Sequence, residues 1–165
     1  MTDIAHIVGE DEKGQFYEQK IRRELETMKR LGTSIPLNQR KSVLFVSSMD
    51  GYTGTGSLFD DMCKYMSINN APDLLGLPPR TPFGDERVLA MDPDYIFIPS
   101  YKGMDKNLAS RYLDNPAFQN LPAIKEHRVK PLPAAYLYTM NQHIGEAMLA
   151  IMYTVYPQLE RNPHD

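Results

Sequence analysis

Three short segments hold the side chains most able to do chemistry in this chain. Residues 48–57 supply Asp50, Tyr52 and Thr53, residues 99–105 supply Tyr101 and Lys102, and residues 133–138 supply Tyr136 and Tyr138. A tyrosine offers a flat apolar face and a hydrogen-bonding tip, so these segments suit a bulky, partly aromatic ligand. Lys102 adds one flexible positive charge for an anionic group on it. The run Gly51-Tyr-Thr-Gly-Thr-Gly56 invites a second reading, a backbone cradle for a phosphate. It lacks the Lys-Ser/Thr ending of a P-loop and the glycine spacing of a dinucleotide site. A turn that needs free backbone dihedrals accounts for its glycines more simply.

Other chemistries find little support. His6, His127, His143 and His164 are scattered, with no pair at helical spacing and no carboxylate cluster, so no metal site is expected. Cys63 is the single cysteine, which excludes an internal disulfide. It lies on the apolar side of Leu58-Phe-Asp-Asp-Met-Cys-Lys-Tyr-Met66 and reads as a buried thiol rather than a nucleophile. No Gly-x-Ser-x-Gly elbow occurs. No catalytic residue, metal or cofactor is therefore assigned, and a non-enzymatic role is expected.

The elements that must position these segments follow from pattern. Ser42–Ser47 reads as a strand and Leu58 opens a helix, with Ser57 and Asp60 in a capping relation. Asn69 to Pro72 should end that helix, and residues 73–83, rich in proline, form an irregular connection. Gly84 to Met91 is a short helix whose apolar side is Val88, Leu89 and Met91. Pro93 stops it, and Tyr95–Ile98 is a continuous apolar strand. A loop at residues 100–105, a helix at 106–113, a compact turn at 115–122 and a strand from Arg128 to Leu132 come next. Ala134–Tyr138 is read as a loop, and the final helix carries Met140, Ile144, Ala147, Met148, Ile151, Met152 and Val155 as a broad apolar stripe. Strand, loop, helix, strand is the order of a parallel sheet, in which ligands gather at the carboxyl ends of the strands. All three tyrosine-bearing segments leave such ends. The expected fold is α/β: a three-layer sandwich with a mostly parallel sheet flanked by helices.

A long charged helix precedes that unit. Tyr17, Ile21, Leu25 and Met28 form a narrow stripe from about residue 12 to 31, and Gly32 is a natural stop. Residues 1–12 give no clear assignment. The organisation expected is an N-terminal segment and helix over residues 1–34 and an α/β lobe over 35–165. At 165 residues and a net charge of −3, the chain can bury a substantial core and has no basic field for nucleic acid. No apolar run approaches the ~20 residues of a membrane span, and the polar start is not a signal peptide.

Several motifs in order resemble a known family. Glu86-x-x-Leu89-x-x-Asp-Pro-Asp94-x-Ile-x-Ile98, then Asn115-Pro-Ala-Phe-Gln-x-Leu-Pro-Ala-Ile-Lys-x-x-Arg128-Val129, then Leu132-Pro133 and a closing helix ending at Tyr156-Pro157, carry the likeness. Over residues 5 to 157 the chain resembles the C-terminal lobe of a periplasmic substrate-binding protein of the helical-backbone class. That class serves ABC importers of ferric siderophores, haem and cobalamin. The resemblance implies that residues 12–31 are the helix joining two lobes. It implies that Tyr52, Thr53, Tyr101, Lys102, Tyr136 and Tyr138 contact a metal-chelate ligand, and that Glu86 docks on the permease. It further implies a partner N-terminal lobe, which supplies the other half of the cleft, and a periplasmic or membrane-anchored extracellular parent protein. Taken as complete, a chain with no signal peptide would be cytoplasmic. The alternative reading is a small cytoplasmic Rossmann-like enzyme domain holding a nucleotide on the Gly51–Gly56 loop.

Overall fold

The computed structural model describes residues 2–46, 53–101, 105–138 and 140–161. Its elements are α1 (Thr2–Ile7), α2 (Asp11–Gly32), β1 (Ser42–Phe45), α3 (Leu58–Met66), β2 (Asn69–Asn70), α4 (Ala71–Leu74), α5 (Asp85–Met91), β3 (Tyr95–Ser100), α6 (Asp105–Leu113), α7 (Pro122–Lys125), β4 (Val129–Pro133), α8 (Ala134–Tyr138) and α9 (Ile144–Val155). The four strands form one sheet in the order β2-β1-β3-β4, and every neighbouring pair is parallel.

Two apolar clusters cover the two faces of the sheet. Val43, Phe45, Tyr95 and Phe97 face one way, onto Met28 of α2, Met62 and Met66 of α3, and Ile151 and Met152 of α9. Leu44, Val46, Ile96 and Ile98 face the other way, onto Val88 and Met91 of α5, Tyr112 of α6 and Ile124 of α7. The alternation within β1 and β3 is the two-residue period of a strand, with both faces apolar because both are covered. The expected three-layer α/β sandwich is what forms. Leu25 and Leu31 join Met28 in the first cluster, so α2 packs as part of this lobe along one stripe while its charged side stays exposed. Glu18 and Arg22 pair across that exposed side at 2.7 Å.

Local sequence explains where the main elements begin and end. Ser57 Oγ accepts from the Asp60 N–H at 3.1 Å, and Asp60 Oδ2 accepts from the Gly56 N–H at 2.9 Å, a reciprocal cap at the start of α3. Pro131 and Pro133 sit in β4, an edge strand, where a missing N–H leaves no ladder partner unmet. Cys63 is buried on α3, and its thiol pKa is pushed well above 9.0, chiefly by that burial.

Several elements depart from the sequence-based expectation. Residues 2–7 form a helix, packed on α2 where Gly14 meets Ala5; a Cβ on Gly14 would come within 2.5 Å of the Ala5 Cβ. The helix α3 stops at Met66, earlier than Asn69, because Ser67 takes a left-handed conformation with φ of 55°. The turn lays Asn69 against Lys41, whose carbonyl accepts from the Asn69 N–H at 2.9 Å, and two asparagines with no strand pattern become an edge strand. The segment 134–138 is a short helix rather than a loop. The last helix begins at Ile144, with Met140 outside it. Among the described residues, no helix is long and apolar enough to cross a membrane.

Candidate ligand-binding face

Strand order places the reversal of winding between β1 and β3, and in such sheets a crevice opens beyond the carboxyl ends of those strands. Phe45 is the last residue of β1, Tyr101 follows β3 directly, and Tyr138 ends the helix that follows β4. Three elements distant in sequence thus bring three aromatic rings to one end of the sheet. The Tyr138 ring packs on Phe45 at 5.3 Å, with the ring planes inclined at 58°. It stacks on Tyr101 at 6.3 Å, with planes 21° from parallel. Tyr101 is 42% exposed and Tyr138 39%, so the stack has one wet side, as a binding surface must.

The phenol of Tyr101 is held protonated above its ordinary value of 10.0. Partial desolvation is the main cause, followed by the nearby Tyr138 and the hydrogen bond between the two phenols. Met140, 80% exposed, lies just past Tyr138. Tyr136 packs against the first apolar cluster and is half-buried. Two residues along a helix turn the side chain by about 200°, so Tyr136 and Tyr138 leave opposite sides of α8.

Thr53 is buried, and its hydroxyl donates to the Phe45 carbonyl at 3.1 Å. Its own carbonyl accepts from Asn70 Nδ2 at 2.8 Å, and the same amide reaches Asp60 at 3.2 Å. Thr53 thus ties its loop to the end of β1, beside the aromatic stack. Tyr52 and Lys102, along with Asp50, lie outside the described residues.

The described part of the glycine loop is engaged by protein. The Thr55 N–H donates to Leu77 O at 2.8 Å, the Gly56 N–H to Asp60, and the Ser57 N–H to Gly54 O at 3.0 Å. Gly54 packs so tightly that an added Cβ would stand 2.4 Å from the carbonyl oxygens of Leu77 and Pro78. Gly56, with φ of +81°, supplies the left-handed turn. The N–H groups at 55–57 are thus spent on protein acceptors. Asp60 and Asp73 place two carboxylates beside them, Asp73 accepting the Thr55 hydroxyl at 2.7 Å. These residues form a packed turn rather than a phosphate cradle.

Glu86 is exposed in the first turn of α5, where a carboxylate is favoured by the helix dipole. Its neighbour Asp85 accepts from Asn115 Nδ2 at 2.9 Å, just past the end of α6. Among the described residues, no group of three His, Cys, Asp or Glu side chains is placed to hold a metal. His143 Nδ1–H donates to the Glu146 carboxylate at 3.2 Å, and the ring contacts Tyr17 edge-on. Sequence reasoning placed Phe45 in a strand and missed it as the floor of the stack, because the strand pattern does not show where β1 stops.

Comparison with known proteins bears on this face. A family model described as periplasmic binding protein matches residues 1–136. Among solved structures, the periplasmic heme-binding protein RhuT from Roseiflexus sp. RS-1 superposes with a TM-score of 0.79 at 22% identity, over 96% of this chain and 61% of its own. The periplasmic heme-binding protein BhuT, in complex with two hemes, gives 0.75 at 21% identity, over 96% and 60%. The molybdate-binding protein MolA of Haemophilus influenzae gives 0.80 at 16% identity, over 98% and 49%. The chain therefore spans about half to three-fifths of the length of these structures. No curated protein sequence matches the chain significantly.

Proposed function

The chain belongs to the periplasmic binding protein family, and on that premise we propose that it is the ligand-binding lobe of an ABC-importer solute-binding protein for a planar, aromatic metal chelate. The Tyr101–Tyr138 stack over Phe45, at the carboxyl end of the sheet, carries this reading. An exposed pair of phenol rings offers flat apolar area and two polar tips, which suits haem or a catecholate iron chelate better than a bare oxyanion such as molybdate. That two of the superposing proteins are named as heme-binding supports the same preference.

A second lobe faces this surface in the working protein and buries the ligand between the two. The lobe presents its ligand without turnover, and the parent protein works outside the cytoplasm. Glu86, exposed in the first turn of α5, is the charge that steers docking to a membrane permease and governs its rate more than its affinity.

Absorbance titration with haem tests the reading. A saturable haem complex is expected, with no competition from molybdate. Saturable molybdate binding with no haem complex would overturn the choice of ligand class.

A further inference from the structure

Asn70 is at odds with its local surroundings in two ways. It is the second residue of the edge strand β2, where asparagine is a poor fit, and it is buried, only 4% exposed. It also holds the N-cap position of α4, a place that asparagine favours, yet its side chain makes no cap bond there. The amide oxygen, the atom that would cap the helix, is buried with no hydrogen-bond partner. A buried polar atom left unpaired costs stability, so neither β2 nor α4 explains an asparagine at this position.

The other half of the amide does explain it. Asn70 Nδ2 donates to the Thr53 carbonyl at 2.8 Å and to Asp60 Oδ1 at 3.2 Å. Thr53 in turn donates its hydroxyl to the Phe45 carbonyl at 3.1 Å, and the Phe45 ring packs on Tyr138 at 5.3 Å. A line of contacts thus runs from the edge of the sheet to the aromatic stack, through positions 70, 53, 45 and 138. Thr53 is gripped from two strands, its hydroxyl by the end of β1 and its carbonyl by Asn70 of β2.

We propose that Asn70 is a positioning residue for the ligand-binding face, acting through Thr53; this rests on the reading of that face as the site for a planar chelate. By holding the Thr53 carbonyl, Asn70 sets where the segment between β1 and α3 meets the end of β1. It thereby fixes the backbone at Phe45, beneath the stack. A residue that breaks the local rule for a strand serves what it orients elsewhere.

Absorbance titration with haem of the wild type, Asn70→Leu, Thr53→Val and the double variant tests this, with thermal melting measured alongside. Each titration is run well below the melting point of the variant, so that only folded protein is compared. Leucine keeps the approximate size of the amide side chain and removes its donors. Haem affinity should fall about tenfold, as for the loss of one well-made buried hydrogen bond. Thr53→Val should lower it several-fold. The double variant should lose no more than Asn70→Leu alone, because both changes act on the placement of Thr53. If Asn70→Leu does not fold, Asn70→Ser, which keeps a hydroxyl donor, takes its place with a smaller loss. A residue that only stabilised the fold would lower the melting point and leave the affinity of the folded protein unchanged. That result, or losses that add in the double variant, would overturn the proposal while haem binding by the wild type stands. A wild type that forms no haem complex would overturn the reading of the face, and this proposal with it.

Discussion

The rings of Tyr101 and Tyr138 stack 6.3 Å apart, although 37 positions separate them in sequence. One follows β3 and the other ends the helix after β4, and the parallel pairing of those strands brings them together. Among the described pairings, β3 meets β1 through Phe97 and continues along β4 to Ser100, one residue before Tyr101. The stack is therefore a product of sheet register, and replacements there should affect binding more than folding.

Tyr138→Ala removes both the stacking partner of Tyr101 and the cover over Phe45. Haem affinity should fall at least about tenfold, as expected for loss of an aromatic contact and its buried area. Tyr138→Phe keeps the ring and should retain most of the affinity. Absorbance titrations of the three proteins check this, and equal affinities would remove the stack from the site.

The Tyr101 phenol should ionise above pH 10.0 in the folded protein, because desolvation and the Tyr138 phenol both favour the protonated form. A raised folded-state pKa means that its contribution to stability is complete below pH 10 and lost as pH rises through the folded value. In Tyr138→Phe the ionisation should move back toward 10. Ultraviolet difference spectra of the phenolate measure it, and an unchanged midpoint in the variant would exclude the coupling.

Asp60 is buried, and its carboxylate accepts from the Gly56 N–H, Lys64 and Asn70. Burial alone pushes its pKa up, but the Gly56, Lys64 and Asn70 contacts together outweigh that and hold it below 3.8. The stability it contributes is present above pH 3.8 and lost as pH falls through the lower folded value. Asp60→Ala should cost about 1–3 kcal/mol at neutral pH, because Asn70 and the Gly56 N–H lose their acceptor. Urea denaturation at pH 7 and below pH 3.8 should show the difference between wild type and variant shrinking in acid.

Gly54→Ala should destabilise the fold by about 1–3 kcal/mol, since its Cβ meets two backbone oxygens that cannot step aside. Gly56→Ala should cost about 1 kcal/mol through its left-handed dihedral alone. Thermal denaturation ranks the two. A millimolar nucleotide should shift neither variant nor the wild type, in keeping with a turn whose N–H groups at 55–57 are already engaged.

Glu86→Lys reverses one exposed charge in a first helical turn. Melting should change by no more than the few tenths of a kcal/mol typical of such sites. Haem titration should be unaltered, while ligand uptake by cells carrying the full-length protein should slow. Unchanged uptake would dismiss the docking role.

Residue order alone determined the class of this protein. Apolar runs at Val43–Val46 and Tyr95–Ile98, the stop at Pro93, the cap at Ser57 and the stripe on the last helix are local signals, and each acts within a few residues. They specify strands covered on both faces and helices that return over them, so the α/β sandwich and the positions of Cys63 and the core methionines were legible. The motif order also led to the family. Tertiary packing decided the rest. Asn69 and Asn70 pair as a strand only because Ser67 turns the chain against β1, and Ala134–Tyr138 coils with no pattern that separates it from a loop. Thr53 and Tyr138 looked equivalent in sequence, yet one hydroxyl is buried against the Phe45 carbonyl and the other residue is 39% exposed, its ring stacked on Tyr101. Register between strands sets which side of a surface a residue reaches, and register depends on contacts between positions far apart in the chain.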